Sequence, residues 1–192
     1  MKIFEGHWLQ PIIYITLYYG LRRGEVIGLK WSAIDFKNDS VKIEHIVTNA
    51  DKVITKDRTK TVSSKRIYVL IPELKKLLLE IKKEQNKNRE LFGNCYQNTD
   101  YVFTHSDGKV YYPDSVTAAF SKVLNRNNFP NMRFHDLRHG CVSILYDKGW
   151  DLKDIQTWLG HSNISTTANI YTHISATRKN EMAKDIQNTF IL

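Results

Sequence analysis

The spacing of apolar residues changes period twice along this chain, and that limits the folds open to it. From Trp8 to Leu21 the pattern suits a helix, with Pro11 tolerated in its first turn, where a missing N–H costs nothing. Val26, Ile27, Leu29 and Trp31 carry the apolar content onward. Between about 40 and 71 the period drops to two. Val41, Ile43 and Val47 alternate with Lys42, Glu44 and Thr48, and Ile67, Val69 and Ile71 alternate more loosely with Arg66, Tyr68 and Leu70. A small antiparallel sheet is the simplest account, with Lys60 at or near a turn between strands.

The helical period then returns. Pro72 opens a long helix, because Leu74, Leu77, Leu78 and Ile81 repeat at three and four residues, with Lys75, Lys76, Lys82 and Lys83 on the other face. The polar, Asn-rich stretch from Gln85 to Asp100 reads as a frayed helix end and loop. Tyr101 to Phe103 suits one short strand, closed by the Ser106-Asp107-Gly108 turn signal. Further helices are expected at 114–126, 135–148, 151–159 and 165–186, with Asp151 and Ser165 as N-caps. The fold class is therefore mainly α with a small antiparallel β-sheet (α+β). No internal repeat or low-complexity linker divides the chain, so residues 1–192 read as one domain.

The formal charge of +8 and pI near 9.4 point to a polyanionic partner, of which nucleic acid is the usual one. Lys56, Arg58, Lys60, Lys65 and Arg66 fall within eleven residues against Asp57 alone, which suits either a solvated hairpin or one that tracks phosphates. Cys95 and Cys141 have no C-x-x-C spacing, which indicates neither a disulfide framework nor a zinc ribbon and favours a reducing cytoplasm. The apolar run from Pro11 to Tyr19 is shorter than the roughly 20 residues of a bilayer span. No small-residue cleavage site follows it, so it does not suit a signal peptide.

Four short motifs carry chemistry: G-L-R-R-G-E from Gly20 to Glu25, T-K-T from Thr59 to Thr61, H-D-L-R-H from His135 to His139, and L-G-H-S-N-I-S-T-T-A-N-I-Y-T-H from Leu159 to His173. Two arginines, a lysine, two histidines and a tyrosine, spread over most of the chain, resemble the active site of the tyrosine recombinases, the phage-integrase family of DNA strand-exchange enzymes. The resemblance runs from about Trp8 to Met182. It implies that family's catalytic-domain fold, mostly helical with a small three-stranded sheet.

Breaking a DNA phosphodiester without metal needs a nucleophile, cations on the phosphoryl oxygens, an acid for the leaving 5′-oxygen and a proton acceptor. The resemblance makes Tyr171 the nucleophile, ten residues after His161. A phenol ordinarily titrates near 10, so it needs nearby guanidinium charge and a base. Arg22 and Arg138 would form the phosphate clamp, since planar forks suit non-bridging oxygens. Glu25, three residues after Arg22, would orient it. His135 looks like the base or proton shuttle for Tyr171, with His139 in support, and it shares a helical face with Arg138. His161 resembles the position that hydrogen-bonds a phosphoryl oxygen, and Lys60 the lysine that protonates the leaving group. Attack would leave a 3′-phosphotyrosyl bond and a free 5′-hydroxyl, reversible without ATP, metal or other cofactor. Lys56, Arg58, Lys65 and Arg66 stand as DNA-binding residues.

The implied partners are double-stranded DNA recombination sites and further copies of the chain in a tetramer on DNA. The stripe of Met182, Ile186 and Phe190 would dock on a neighbour or fold back as core. An excisionase or host bending factor would assist. Family members carry N-terminal core-binding and arm-binding domains, which points to an excised catalytic fragment beginning with an added methionine. The spacing from His161 to Tyr171 looks closer to integrases of conjugative elements, with a prophage integrase also open. Three other readings stand beside this one. His135 and His139 have the spacing of two helical zinc ligands, although Asp136 stands where such a motif has Glu. A non-catalytic DNA-binding module and a type IB topoisomerase complete the set.

Overall fold

The computed structural model describes residues 2–48, 54–57 and 66–160. Backbone contacts group the chain into two compact units, Met1–Cys141 and Val142–Leu192. In the first, α1 (Gln10–Tyr19) begins with Pro11 in its first turn and buries Ile12, Ile13, Ile15 and Tyr19. A short α2 (Arg23–Ile27) follows and packs on β3 (His45–Thr48). That approach requires glycines. A Cβ on Gly24 would lie 2.5 Å from the Val47 carbonyl oxygen, and one on Gly28 would lie 2.8 Å from that of His45.

The sheet expected between 40 and 71 is present in two parts. Strands β1 (Ile34–Asp35), β2 (Ser40–Ile43) and β5 (Arg66–Val69) form an antiparallel sheet in the order β1-β2-β5, with Ile43 opposite Arg66 and Ser40 opposite Val69. Strands β3 and β4 (Ile54–Asp57) form a separate antiparallel pair, with His45 opposite Asp57. The side-chain phase of β5 is the reverse of the apolar reading. Arg66, Tyr68 and Leu70 are buried, while Ile67 and Val69 are 67% and 70% exposed. Period two leaves either face eligible for burial. The inward face is the one that presents Arg66 to a buried carboxylate.

Helix α3 (Pro72–Phe92) runs past the point where polar composition suggested fraying. The reason is Gln85, which is buried. Its Oε1 accepts from Trp31 Nε1 at 2.8 Å, and its Nε2 donates to the carbonyls of Tyr101 and Val102 at 3.1 and 2.9 Å. Residues 101–103 make no full strand. An isolated bridge joins Tyr101 to Lys30, and the Val102 N–H donates to Leu29 O at 2.9 Å. Gly108, at φ 84°, completes the turn expected there. Helix α4 (Pro113–Arg126) buries Val116, Phe120, Val123 and Leu124, with Phe120 stacked on Phe4 and edge-on to Phe134. Arg23 ties α2 to α4 through Thr117 and Asp114.

Helix α5 (Asp136–Asp147) starts in the first unit and ends in the second. Cys141 on it is buried, as core, and burial pushes its thiol up to about 11 against the pull of Arg138. Within the second unit, Val142, Ile155 and Leu159 form a small core edged by Leu145, Tyr146 and Trp158. Helix α6 (Leu152–Leu159) is capped as expected by Asp151, whose Oδ1 accepts from the Asp154 N–H at 2.8 Å, and it ends at a left-handed Gly160. The helix expected at 165–186, its Ser165 cap and the stripe of Met182, Ile186 and Phe190 lie outside the described residues. No helix among the described residues is long and apolar enough to cross a membrane.

Candidate active site

The site begins where α1 stops. Gly20 sits at φ 61° and ψ 35°, a left-handed conformation that ends the helix without the clash a side chain would meet. Two residues on, Arg22 is extended (φ −72°, ψ 153°) and caps α2. Its guanidinium has no acceptor for the exposed helix N–H groups, so the third helical residue reaches back instead. Glu25 Oε2 accepts from the Arg22 backbone N–H at 2.8 Å, and Oε1 accepts from Arg22 Nη1 at 3.0 Å. The motif G-L-R-R-G-E is thus one local device: the glycine turns the chain, and the glutamate holds Arg22 at both ends.

Glu25 has no exposed side-chain surface, whereas that of Arg22 is 38% exposed. A carboxylate so placed needs charged partners. Arg66 Nη2 lies 2.7 Å from Oε2, and Arg138 Nη1 lies 3.9 Å from the same oxygen. Arg138 also donates to the Gly20 carbonyl, linking α5 to the turn that sets Arg22. Behind them, Arg66 Nη1 donates to the Tyr68 hydroxyl at 3.2 Å, and that hydroxyl donates to Tyr19 O at 3.4 Å. The Tyr19 and Tyr68 rings stack with centroids 4.7 Å apart.

These contacts set the protonation states. Burial pushes the Glu25 carboxyl up, but Arg66, the Arg22 N–H and the Arg22 guanidinium outweigh it and hold the group at about 2. Burial, with Arg22 beside it, lowers Arg138 to about 10, so it stays protonated at neutral pH. Burial raises Tyr19 and Tyr68 to about 12, which makes both structural phenols and poor nucleophiles. Among the described residues three guanidiniums face this one carboxylate, and Arg22 carries positive charge to solvent. Such a surface suits a phosphodiester.

His135 stands exposed beside this cluster, edge-on to His139 with ring centroids 4.9 Å apart. Partial burial lowers its pKa, and the charges of His139, Arg138 and Arg22 lower it further against Asp136. The neutral ring that results can accept a proton. The buried Nδ1 of His139 has no hydrogen-bond partner among the described residues. Asp136 is engaged by Arg133, which approaches Oδ1 at 3.0 Å. Among the described residues no three His, Cys, Asp or Glu side chains gather as a ligand set around His135 and His139.

The structure therefore brings Arg22, Glu25, His135 and Arg138 together, with His139 against His135. Arg66, expected among surface DNA contacts, is instead 7% exposed on Glu25. Its signal in the sequence was its two-residue spacing from Tyr68 on one face of a strand, which the charge cluster obscured. Lys56 lies in β4, and Arg58, Lys60, Lys65, His161 and Tyr171 lie outside the described residues. In sequence, Lys60 falls between β4 and β5.

Known proteins resemble this chain in sequence and in fold. The phage integrase family model matches residues 4–178. A tyrosine recombinase XerC-like protein of Caldanaerobacter subterraneus subsp. tengcongensis is 32% identical over 202 residues, covering 99% of this chain and 52% of that protein. The ICEBs1 integrase of Bacillus subtilis is 27% identical over 174 residues, covering 91% and 47%. The chain spans about half the length of these curated relatives. In fold, the Tn1549 transposon integrase in complex with transposon right end DNA superposes with a TM-score of 0.77 at 21% identity, over 96% of this chain and 59% of that one. XerA recombinase gives 0.67 at 20% identity, over 97% and 59%.

Proposed function

We propose that this chain, which belongs to the phage integrase family, is the strand-cutting and strand-joining part of a site-specific DNA recombinase that integrates or excises a mobile element. The observation that carries the reading is the joining of Arg22 and Arg138, 116 positions apart, on one buried carboxylate beside a neutral-leaning His135. Two fixed guanidiniums stabilise the charge that builds on non-bridging oxygens as the phosphorus becomes pentacoordinate. His135 takes the proton of Tyr171 as its oxygen attacks, the phosphate transfers to the tyrosine as a 3′-ester, and Lys60 protonates the departing 5′-oxygen. His161 adds a hydrogen bond to the phosphoryl group. A 5′-hydroxyl from another strand then reverses the sequence, so the bond energy is conserved.

Structures of similar fold support the proposed partners. Solved relatives include the Tn1549 integrase with circular intermediate DNA, XerH bound to difH substrate, and a lambda integrase tetramer bound to a Holliday junction. We extend to this chain a duplex recombination site as substrate and a tetramer on DNA, with the segment after Tyr171 joining neighbours. The reaction belongs where chromosomal DNA is reached, the cytoplasm.

Covalent trapping tests the proposal. The protein is incubated with a library of nicked duplexes in chelator, and DNA that stays attached through denaturation is recovered. An adduct at Tyr171 that disappears in Tyr171→Phe is the expected result, and sequencing the DNA gives the site. DNA binding with no adduct would reduce the chain to a binding module. An adduct with plasmid relaxation but no strand exchange would make it a type IB topoisomerase.

A further inference from the structure

We propose that Arg66 is a positioning residue for the phosphate clamp: from β5 it grips Glu25, and so fixes the carboxylate on which Arg22 and Arg138 are aligned. The inference rests on the function proposed above and adds a residue that acts through Glu25.

Arg66 began as one of five basic residues suited to DNA phosphates, and the geometry removes it from that group. Its side chain is 7% exposed, its Nη2 is 2.7 Å from Glu25 Oε2, and its Nη1 donates to the Tyr68 hydroxyl. Its guanidinium also lies 5.8 Å from the centre of the Tyr68 ring. A head group held this way is engaged inside the protein.

The two Glu25 oxygens have different partners. Oε1 takes Arg22 Nη1, whereas Oε2 takes the Arg22 N–H and Arg66, with Arg138 standing off at 3.9 Å. That distance is beyond a direct hydrogen bond. With Arg66 on Oε2, the carboxylate is held where Oε1 meets Arg22 and where Arg138 faces it at 3.9 Å. Without Arg66 the Glu25 carboxylate loses its shortest ion pair among the described residues and is free to shift, and Arg22 and Arg138 shift with it.

The test compares Arg66→Met and Arg66→Lys with the unaltered protein in three measurements. These are DNA affinity against salt, single-turnover cleavage of nicked duplex at saturating protein, and carbon-detected NMR titration of the Glu25 carboxyl. For Arg66→Met we expect cleavage to fall about 10- to 100-fold, the usual scale for misplaced reacting groups, with affinity and its salt slope unchanged. Glu25 should titrate higher, since the variant removes its closest ion-pair partner among the described residues. Arg66→Lys should recover part of the cleavage, because it restores the charge without the fork. A salt slope smaller by about 0.9 would make Arg66 a phosphate contact and overturn the proposal, as would wild-type cleavage by Arg66→Met. If Arg66→Met does not fold, Arg66→Lys carries the test: reduced cleavage at unchanged affinity supports the proposal, and unchanged cleavage overturns it. If the unaltered protein forms no covalent adduct, the recombinase reading fails. The Glu25 titration then decides this one alone: an upward move in either variant upholds the grip, and no move refutes it.

Discussion

Arg138 donates a hydrogen bond to the backbone carbonyl of Gly20, a residue 118 positions earlier in the chain. This contact joins the start of α5 to the turn that launches Arg22, so the two arginines of the proposed clamp share one backbone reference point. Their separation is set by the fold itself.

Gly20→Ala should therefore weaken both the fold and the clamp. A Cβ at φ 61° costs about 1 kcal/mol, and relieving it rotates the carbonyl that Arg138 uses. Urea unfolding should show a loss of about that size. Single-turnover cleavage should fall more than the stability loss explains.

Glu25→Gln should remove an acid-sensitive part of the stability. Glu25 is held at about 2 in the folded protein against an ordinary 4.5, so its contribution is present above pH 4.5 and lost as pH falls toward 2. A shift of that size corresponds to about 3 kcal/mol. Denaturant titrations at pH 7 and pH 3 should show a smaller pH difference in the variant than in the unaltered protein.

The rate of strand cleavage should have an acidic limb governed by His135. The ring must be neutral to accept a proton, and its pKa is lowered, so activity should rise with pH through a midpoint below 6.5. His135→Ala should lose about 100-fold or more and flatten that limb. A midpoint above 6.5 would point to another base.

Gly24→Ala should test the close approach of α2 and β3. The new Cβ would meet the Val47 carbonyl oxygen at 2.5 Å, so the strand must move. Overpacking of this kind costs about 1–3 kcal/mol, which thermal unfolding would register.

Gln85→Ala should destabilise the first unit by about 1–3 kcal/mol, because it withdraws a partner from the Trp31 indole and from the carbonyls of Tyr101 and Val102. Trp31 fluorescence should shift, while cleavage per folded molecule stays unchanged.

The parts of the site that could be read in the sequence are those whose geometry is local. Arg22 and Glu25 are three residues apart on one helical turn, and His135, Arg138 and His139 share another, so spacing kept each set together once the resemblance had singled it out. Helices α1, α4 and α6 were legible for the same reason, from period and caps. Arg66 was not, because a run of basic residues looks the same whether each points to water or one turns inward to a carboxylate 41 positions away. The reversed phase of β5 has the same cause: Ile67 and Val69 were the natural inward choices until Glu25 required a cation. Gln85 shows the converse error. Polar composition suggested an ending, but a buried amide that bonds Trp31, Tyr101 and Val102 continues the helix. Its partners come from other parts of the chain.

Glu25 and the three arginines around it are supplied at positions 22, 25, 66 and 138, and no short stretch of the chain contains them all. During synthesis, Arg22 and Glu25 leave the ribosome long before Arg138 exists. A truncated or half-folded product has one guanidinium of the clamp without the other. The proposed strand cleavage would thereby be withheld from incomplete molecules, with completion of the fold as its safety catch.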